Sequence, residues 1–390
     1  MLDLAIVGGG PAGVSTALHV LAAAPHARIV VLEKERYPRD KICAGGIGAR
    51  AFRILERIGV ELDCPCVPLA AVAMRIGGQT VVVPEPGCGA VVRRVEFDHA
   101  FARAAIERGV EVRDGCEVSR IAVTDTGVLI EAGGETFHAR AVIGADGVAG
   151  VVRRQTGFPR GELRAQVVEL DTEGVAEDLP RDTAVFDFAT TELRGYAWDF
   201  PTQIAGEPLV CRGAYVLHDQ LRVQTSPNEP RTRLAAYLAA RGLDISRYRL
   251  KQFAERGFQP GAELARPRVL LVGEAAGIDI ATGEGIAQAI EYGAVAGPYL
   301  AHALAVDDLG FTDWSRTVEL HHLGWQMAIR HGCSRAFYGR RRQHIERLLP
   351  RLTKLFKVGV QDFAGIPLSK LALVQGAGQF IAALARDKLA

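Results

Sequence analysis

The chain lacks the features that mark polyanion binders, disulfide-stapled secreted proteins and membrane spans. Its formal net charge is only +1 over 390 residues, so no bulk field gathers nucleic acid or acidic substrates. No basic, aromatic-interleaved nucleic-acid motif is present either. The seven cysteines are scattered and odd in number. They do not make a disulfide framework, which predicts a reducing, cytoplasmic setting. Cys64-Pro65-Cys66 is too closely spaced for the usual zinc pair, so no metal site is expected. No apolar run approaches the length of a bilayer span. No charged leader with a cleavage site precedes the first apolar run, so a secretory signal is not expected. Long internal repeats and low-complexity tracts are missing as well. What remains is a globular composition, 48% hydrophobic and 23% charged, at a length that suits two intertwined domains.

Against that background two glycine-rich turns stand out. Gly8-Gly9-Gly10-Pro11-Ala12-Gly13 follows the apolar run Leu4-Ala5-Ile6-Val7, which reads as a buried parallel strand. An alanine- and leucine-rich stretch over 12–24 reads as the helix behind it. Residues 28–32 read as the next strand, which Glu33 ends, twenty residues past Gly13. This is the complete dinucleotide-binding unit. Gly8 permits the tight turn, Gly10 lets a pyrophosphate reach the backbone, and Gly13 lets helix and strand pack closely. The helix N-terminus offers free N–H groups to phosphate, and Glu33 can accept from ribose hydroxyls. Leu271-Val272-Gly273-Glu274-Ala275-Ala276-Gly277 and Gly283-Glu284-Gly285-Ile286 form the second turn, far downstream. Two distant turns on one ligand suggest a long cofactor, and FAD is long enough to need both.

The rest of the chain gives the organisation. A hairpin is expected over 67–92, with Gly77-Gly78 at its tip. A helix is expected from Asp98, after the Arg93-Arg94 pair, and a second long helix over 284–304. The predicted fold is α/β. It comprises a Rossmann-like FAD-binding domain over residues 1–160 plus 265–310, carrying a small hairpin insertion at about 61–92. A β-rich substrate domain at 161–264 is inserted into it, and a C-terminal helical region follows at 311–390. From Arg330 to Lys357 basic residues outnumber acids and alternate with Phe, Tyr and Leu. Such a region can lie on an anionic membrane surface or form a solvated helix packed on the core.

The motifs together resemble the FAD-dependent oxidoreductases related to para-hydroxybenzoate hydroxylase. GGGPAG, Glu33, the Arg94/Phe97/Asp98 group, Gly144-Ala145-Asp146-Gly147 and VGEAAG with GEGI stand in that family's order. Pro38-Arg39-Asp40-Lys41-Ile42-Cys43-Ala44-Gly45-Gly46 and Tyr196-Ala197-Trp198-Asp199-Phe200-Pro201 resemble its geranylgeranyl reductase branch. The resemblance covers about residues 1–300. It implies cofactor contacts from Gly8, Gly10, Pro11, Ala12, Gly13, Glu33, Lys34, Cys43, Ala44, Gly46, Arg94, Val118, Asp146, Glu274, Gly285 and Ile286. Arg94 suits phosphate oxygens, Val118 is placed beside the adenine through its backbone, and Glu274 faces the ribityl chain. Gly285 and Ile286 open a helix whose N–H groups can stabilise negative charge on reduced flavin. The chain departs from the pattern at Glu274, where most relatives have Asp, and at Gly150, where Ser is usual. Gly277 and Ala281 replace the His and Pro typical of aromatic hydroxylases, which favours the reductases.

The implied reaction is reduction of a carbon–carbon double bond in an isoprenoid or other long apolar substrate, by hydride from N5 of reduced FAD. Tyr196, Trp198 and Phe200 alternate, so on a strand they share one face. They can line a substrate channel or simply pack the core. Cys43 is the candidate catalytic residue, as a proton donor, a redox-sensitive thiol or merely a small residue that fits. No second dinucleotide unit is visible, so electrons come from NAD(P)H bound without its own domain or from a carrier such as a ferredoxin. Partners are therefore an apolar or lipid substrate and an electron donor, with peripheral membrane association and no nucleic acid. The rival readings are a flavin monooxygenase of an aromatic or polyketide substrate, a halogenase, and a flavoprotein electron carrier.

Overall fold

The structure is a computed structural model that describes residues 1–161, 163–189, 194–218, 229–340 and 342–367. Two mixed sheets form its frame. In the first, Leu2–Val7 pairs in parallel with Ile29–Leu32 on one side and Glu135–Gly144 on the other. Glu111–Arg113 and Val269–Leu271 extend it, also in parallel. Every residue of Ile29–Leu32 is buried, the pattern of a parallel strand covered on both faces. The antiparallel pair Val118–Val123 and Val128–Ala132 hangs on Glu135–Gly144.

Two long helices, Pro11–Ala23 and Ile286–Ala305, pack against each other. Gly293 and Gly297 make this close approach possible, because a Cβ at either would collide with Ser15 or His19. The Ser15 hydroxyl donates to the Ile290 carbonyl at 2.7 Å. The two first turns meet at Gly273, which is tucked between Ala12 and Ala289. Both glycine-rich turns of the sequence thus converge at one end of the helix pair.

The second sheet runs in the order Lys251–Arg256, Arg164–Thr172, Glu207–His218, Gly195–Ile204, Thr183–Asp187, Cys66–Ile76, Gln79–Val92, Gly46–Gly48. The hairpin expected as part of the first domain therefore lies in this sheet. Its strand Cys66–Ile76 pairs in parallel with Thr183–Asp187. A lone hairpin leaves edge hydrogen-bonding groups open and is marginal in water. The strand that closes its edge is distant in sequence, so local patterning did not reveal it. The helix expected from Asp98 begins at Arg94, which brings Arg94 and Asp98 onto one helical face.

Helices Trp314–Leu320, His322–Phe337, Arg342–Leu348 and Thr353–Phe363 complete the described chain. Residues 368–390 of the expected helical region lie outside the described residues. No helix among the described residues is long and apolar enough to cross a membrane.

Candidate active site

The first turn is built as its glycines require. Gly8 has a φ of +106°, and a Cβ there would collide with the Ala145 carbonyl. A Cβ on Gly13 would strike the Gly8 carbonyl, so Gly13 is the close helix–strand contact. Gly10 differs: the nearest atoms to a Cβ there would be Nη2 of Arg39 at 3.8 Å and of Arg94 at 3.9 Å. The helix that follows has no capping side chain, so its first N–H groups face that open space.

Charged side chains frame this space. Glu33 is buried and accepts from the N–H of Gly9 at 2.8 Å and of Glu35 at 3.0 Å. Arg94 grips Asp98 with two hydrogen bonds, at 2.6 and 2.7 Å. Arg39 links Asp98 at 2.9 Å to Glu33 at 3.2 Å. Burial works against the Arg94 charge, but Asp98 outweighs it and holds the guanidinium protonated. Arg39 and Asp98 were not assigned roles from sequence. Arg39 stands among the quoted PRDKICAGG residues, but only the fold shows that it bridges two acids.

A cavity of about 510 Å³ runs from this turn past Glu33, Lys34, Val118 and Asp146 to Glu274, Gly285 and Ile286. Pro11, Ala12 and Cys43 line it too. Four polar atoms of its lining residues are buried without a protein partner: Nε of Arg39, Oδ1 of Asp146, Oε2 of Glu255 and Oε1 of Glu274. Unpaired buried groups are costly, and a long polar cofactor would satisfy them. Burial raises the Asp146 carboxyl to about 6, although the Val152 N–H opposes the shift. Ala44 and Gly46, expected on the cofactor, line a different cavity.

That second cavity encloses about 960 Å³ and is walled mainly by apolar side chains. Its size is at the upper end for small-molecule pockets. Tyr196, Trp198 and Phe200 line it from one face of strand Gly195–Ile204, and Phe186 and Phe188 join them from the next segment. The ring of Phe200 lies where a Gly46 Cβ would be, 2.9 Å from its Cε2, so Gly46 gives that ring room. The opposite wall comes from the C-terminal helices, through Trp325, Ile329, Phe337, Tyr338, Phe356 and Phe363. This wall has no counterpart in the sequence reading. Arg330 ties it down: it contacts Asp279 and Glu284 at 2.7 Å and Asp362 at 2.8 Å. It is therefore an internal anchor and not part of a basic outer face.

The two cavities share a border formed by Cys43, Phe253, Glu255, Gly283, Gly285 and Ile286. Cys43 is fixed by its N–H, which donates to Glu169 at 3.0 Å. Burial raises its thiol pKa and keeps it neutral. Burial also raises Glu169 to about 7 and Glu255 to about 8. Neither glutamate was singled out from sequence. Glu255 lies in the strand segment Lys251–Arg256, where it reads as an ordinary polar residue until the strand is packed.

The FAD binding domain family matches residues 1–305. The chain is 26% identical to the menaquinone reductase of Mycolicibacterium smegmatis, over 90% of this chain and 86% of the other. It is 27% identical to digeranylgeranylglycerophospholipid reductase 1 of Methanococcoides burtonii, over 79% of this chain and 76% of the other. Among solved structures, a geranylgeranyl bacteriochlorophyll reductase-like protein from Thermoplasma acidophilum shares the fold with a TM-score of 0.70 at 18% identity, covering 99% and 98% of the two chains. With the glycine cradle, the buried Glu33 and the unsatisfied polar lining already placed, the chain belongs to the FAD binding domain family, as an FAD-dependent oxidoreductase resembling the geranylgeranyl reductases.

Proposed function

We propose that this oxidoreductase reduces carbon–carbon double bonds of an isoprenoid or similarly long apolar substrate. The observation that carries the reading is the shared border: a cavity framed by charged groups and a large aromatic-walled chamber have six lining residues in common. Bound and reduced, FAD supplies the hydride. The chain does the rest. Arg39, Arg94 and the first turn hold the pyrophosphate end, and Glu33 holds the ribose. Gly285 and Ile286 present the start of a helix to the flavin end. Tyr196, Trp198 and Phe200 exclude water and position an apolar chain. NAD(P)H or a ferredoxin-like carrier is the proposed electron source. At the chamber rim Trp325 and Ile329 are 40% and 53% exposed. They lie one helical turn apart and suit a lipid surface, so we also propose peripheral membrane contact by a cytoplasmic protein.

The deciding test is anaerobic. Flavin reduced by dithionite is expected to reoxidise on adding a geranylgeranylated lipid, with a product two hydrogens heavier. Flavin that stays reduced until oxygen enters, followed by oxygenated aromatic products, would instead make the protein a monooxygenase.

Cys43 has a weaker claim on chemistry than its position suggests, because burial raises its thiol pKa and makes it a poorer acid. We expect Cys43→Ser to keep the flavin spectrum and to change turnover by less than about tenfold, since typical acid–base catalysis contributes 10²–10⁴-fold. A loss beyond about 100-fold with FAD still bound would restore Cys43 as the catalytic group.

A further inference from the structure

We propose that Glu255 is the proton source of this reaction, handing its carboxyl proton to the alkene carbon that does not receive the hydride. The proposal rests on the alkene-reduction reading above.

The carboxyl borders both cavities, on the wall that the flavin and substrate spaces share. It is buried, and its Oε2 has no hydrogen-bond partner. Strand pairing fixes its position, with Glu255 opposite Ala165 and Phe253 opposite Val167. Phe253, Glu255 and Val167 line the chamber together. Tyr215 stands within hydrogen-bonding reach of the carboxyl. The single Tyr215 hydroxyl proton is directed at the Ile280 carbonyl, 3.3 Å away. A hydroxyl turned instead toward Glu255 would favour the carboxylate, but burial outweighs it.

The charged and titratable groups around it fit the same state. Tyr215 and Tyr196 face it from the second sheet, Glu274 and Asp279 from the segment before helix Ile286–Ala305, and Lys41 from the Cys43 loop. Burial and then the neighbouring Glu274 charge favour the neutral acid, and Lys41 and the Tyr215 hydroxyl oppose them only in part. Glu169 does not border either cavity and serves the Cys43 N–H.

The step balances. One alkene carbon takes the hydride and its two electrons from reduced FAD, and the other takes the Glu255 proton. The C=C π bond and the carboxyl O–H bond break, two C–H bonds form, and Glu255 is left as carboxylate. Water reprotonates it before the next turnover.

The test compares FAD-loaded wild type, Glu255→Gln and Glu255→Asp. Infrared spectra over pH 6–10, without substrate, are expected to show a neutral-carboxyl band lost near pH 8 in wild type and missing in Glu255→Gln. Single-turnover reoxidation of the dithionite-reduced protein by an isoprenoid alkene is expected to fall about tenfold per pH unit above pH 8. Glu255→Gln should hold FAD normally and reoxidise about 10²–10⁴-fold more slowly. Should Glu255→Gln not retain FAD, Glu255→Asp decides: an acid one methylene shorter should keep the alkaline fall and lose rate. Wild-type rates in either variant, or no Glu255-dependent band, overturn the proposal and leave alkene reduction standing. A wild-type flavin that no isoprenoid alkene reoxidises overturns the reduction reading and the proton delivery with it.

Discussion

Gly10→Val is expected to fold normally and to lose FAD. The reason lies in what surrounds each glycine of the first turn. At Gly10 a Cβ would meet nothing closer than the Arg39 and Arg94 guanidinium tips, at 3.8 and 3.9 Å. The backbone there is extended, at φ −78° and ψ −177°, which β-branched residues accept. The apoprotein therefore tolerates the side chain, but in the placement we propose the pyrophosphate needs the same space. We expect FAD affinity to weaken by at least about 100-fold, or roughly 2.8 kcal/mol at 1.4 kcal/mol per tenfold. Gly13→Ala should do the opposite. Its Cβ would strike the Gly8 carbonyl, so the strand and helix must separate, at about 1–3 kcal/mol or more of stability. Thermal denaturation of the apoproteins and fluorescence titration with FAD separate the two. A Gly10→Val protein that binds FAD like wild type would show that the pyrophosphate lies elsewhere.

The second large effect concerns the wall of the chamber. Arg330 holds Asp279, Glu284 and Asp362 at 2.7–2.8 Å, and all three carboxylates are well shielded from solvent. Burial opposes its charge, yet the three acids keep its pKa far above the usual range. Arg330→Met removes the cation and leaves the carboxylates in place. Breaking a buried ion network from one side costs about 3–5 kcal/mol. Part of that cost is relieved locally, because Glu284 keeps Arg50 at 3.3 Å and Asp362 keeps His322 at 3.6 Å. The helices His322–Phe337 and Thr353–Phe363 are expected to detach from the chamber and become protease-sensitive. FAD is expected to stay bound, since the first turn, Glu33 and Arg94 share none of these residues and only Glu284 of the network lies in the second turn. Arg330→Lys should rescue only partly, as one ammonium cannot serve three carboxylates in the guanidinium's fork geometry. Wild-type melting and proteolysis in Arg330→Met would show that the network is not what closes the chamber.

The glycine cradle, Glu33 and the second turn were legible because their requirements are local. A positive φ at Gly8, a close approach at Gly13 and an acid at the end of the next strand all follow from short spacings. Tyr196, Trp198 and Phe200 were legible as a shared face for the same reason, through the two-residue period of a strand. Arg39 was harder to read, since its significance comes from bridging Glu33 and Asp98, which belong to separate elements. Ala44 and Gly46 show how a loop parts sequence neighbours: Cys43 lines both cavities, while Ala44 and Gly46 line only the aromatic one.

Chain order alone was therefore enough to establish a dinucleotide-type cofactor site and an α/β frame, since backbone geometry and periodicity act over a few residues. The chamber, its helical wall and the character of Glu255 arose only when distant segments packed. A polar residue on an edge strand becomes a neutral acid through burial and through Glu274 beside it, and neither condition exists until the sheet, the Cys43 loop and the second turn are brought together.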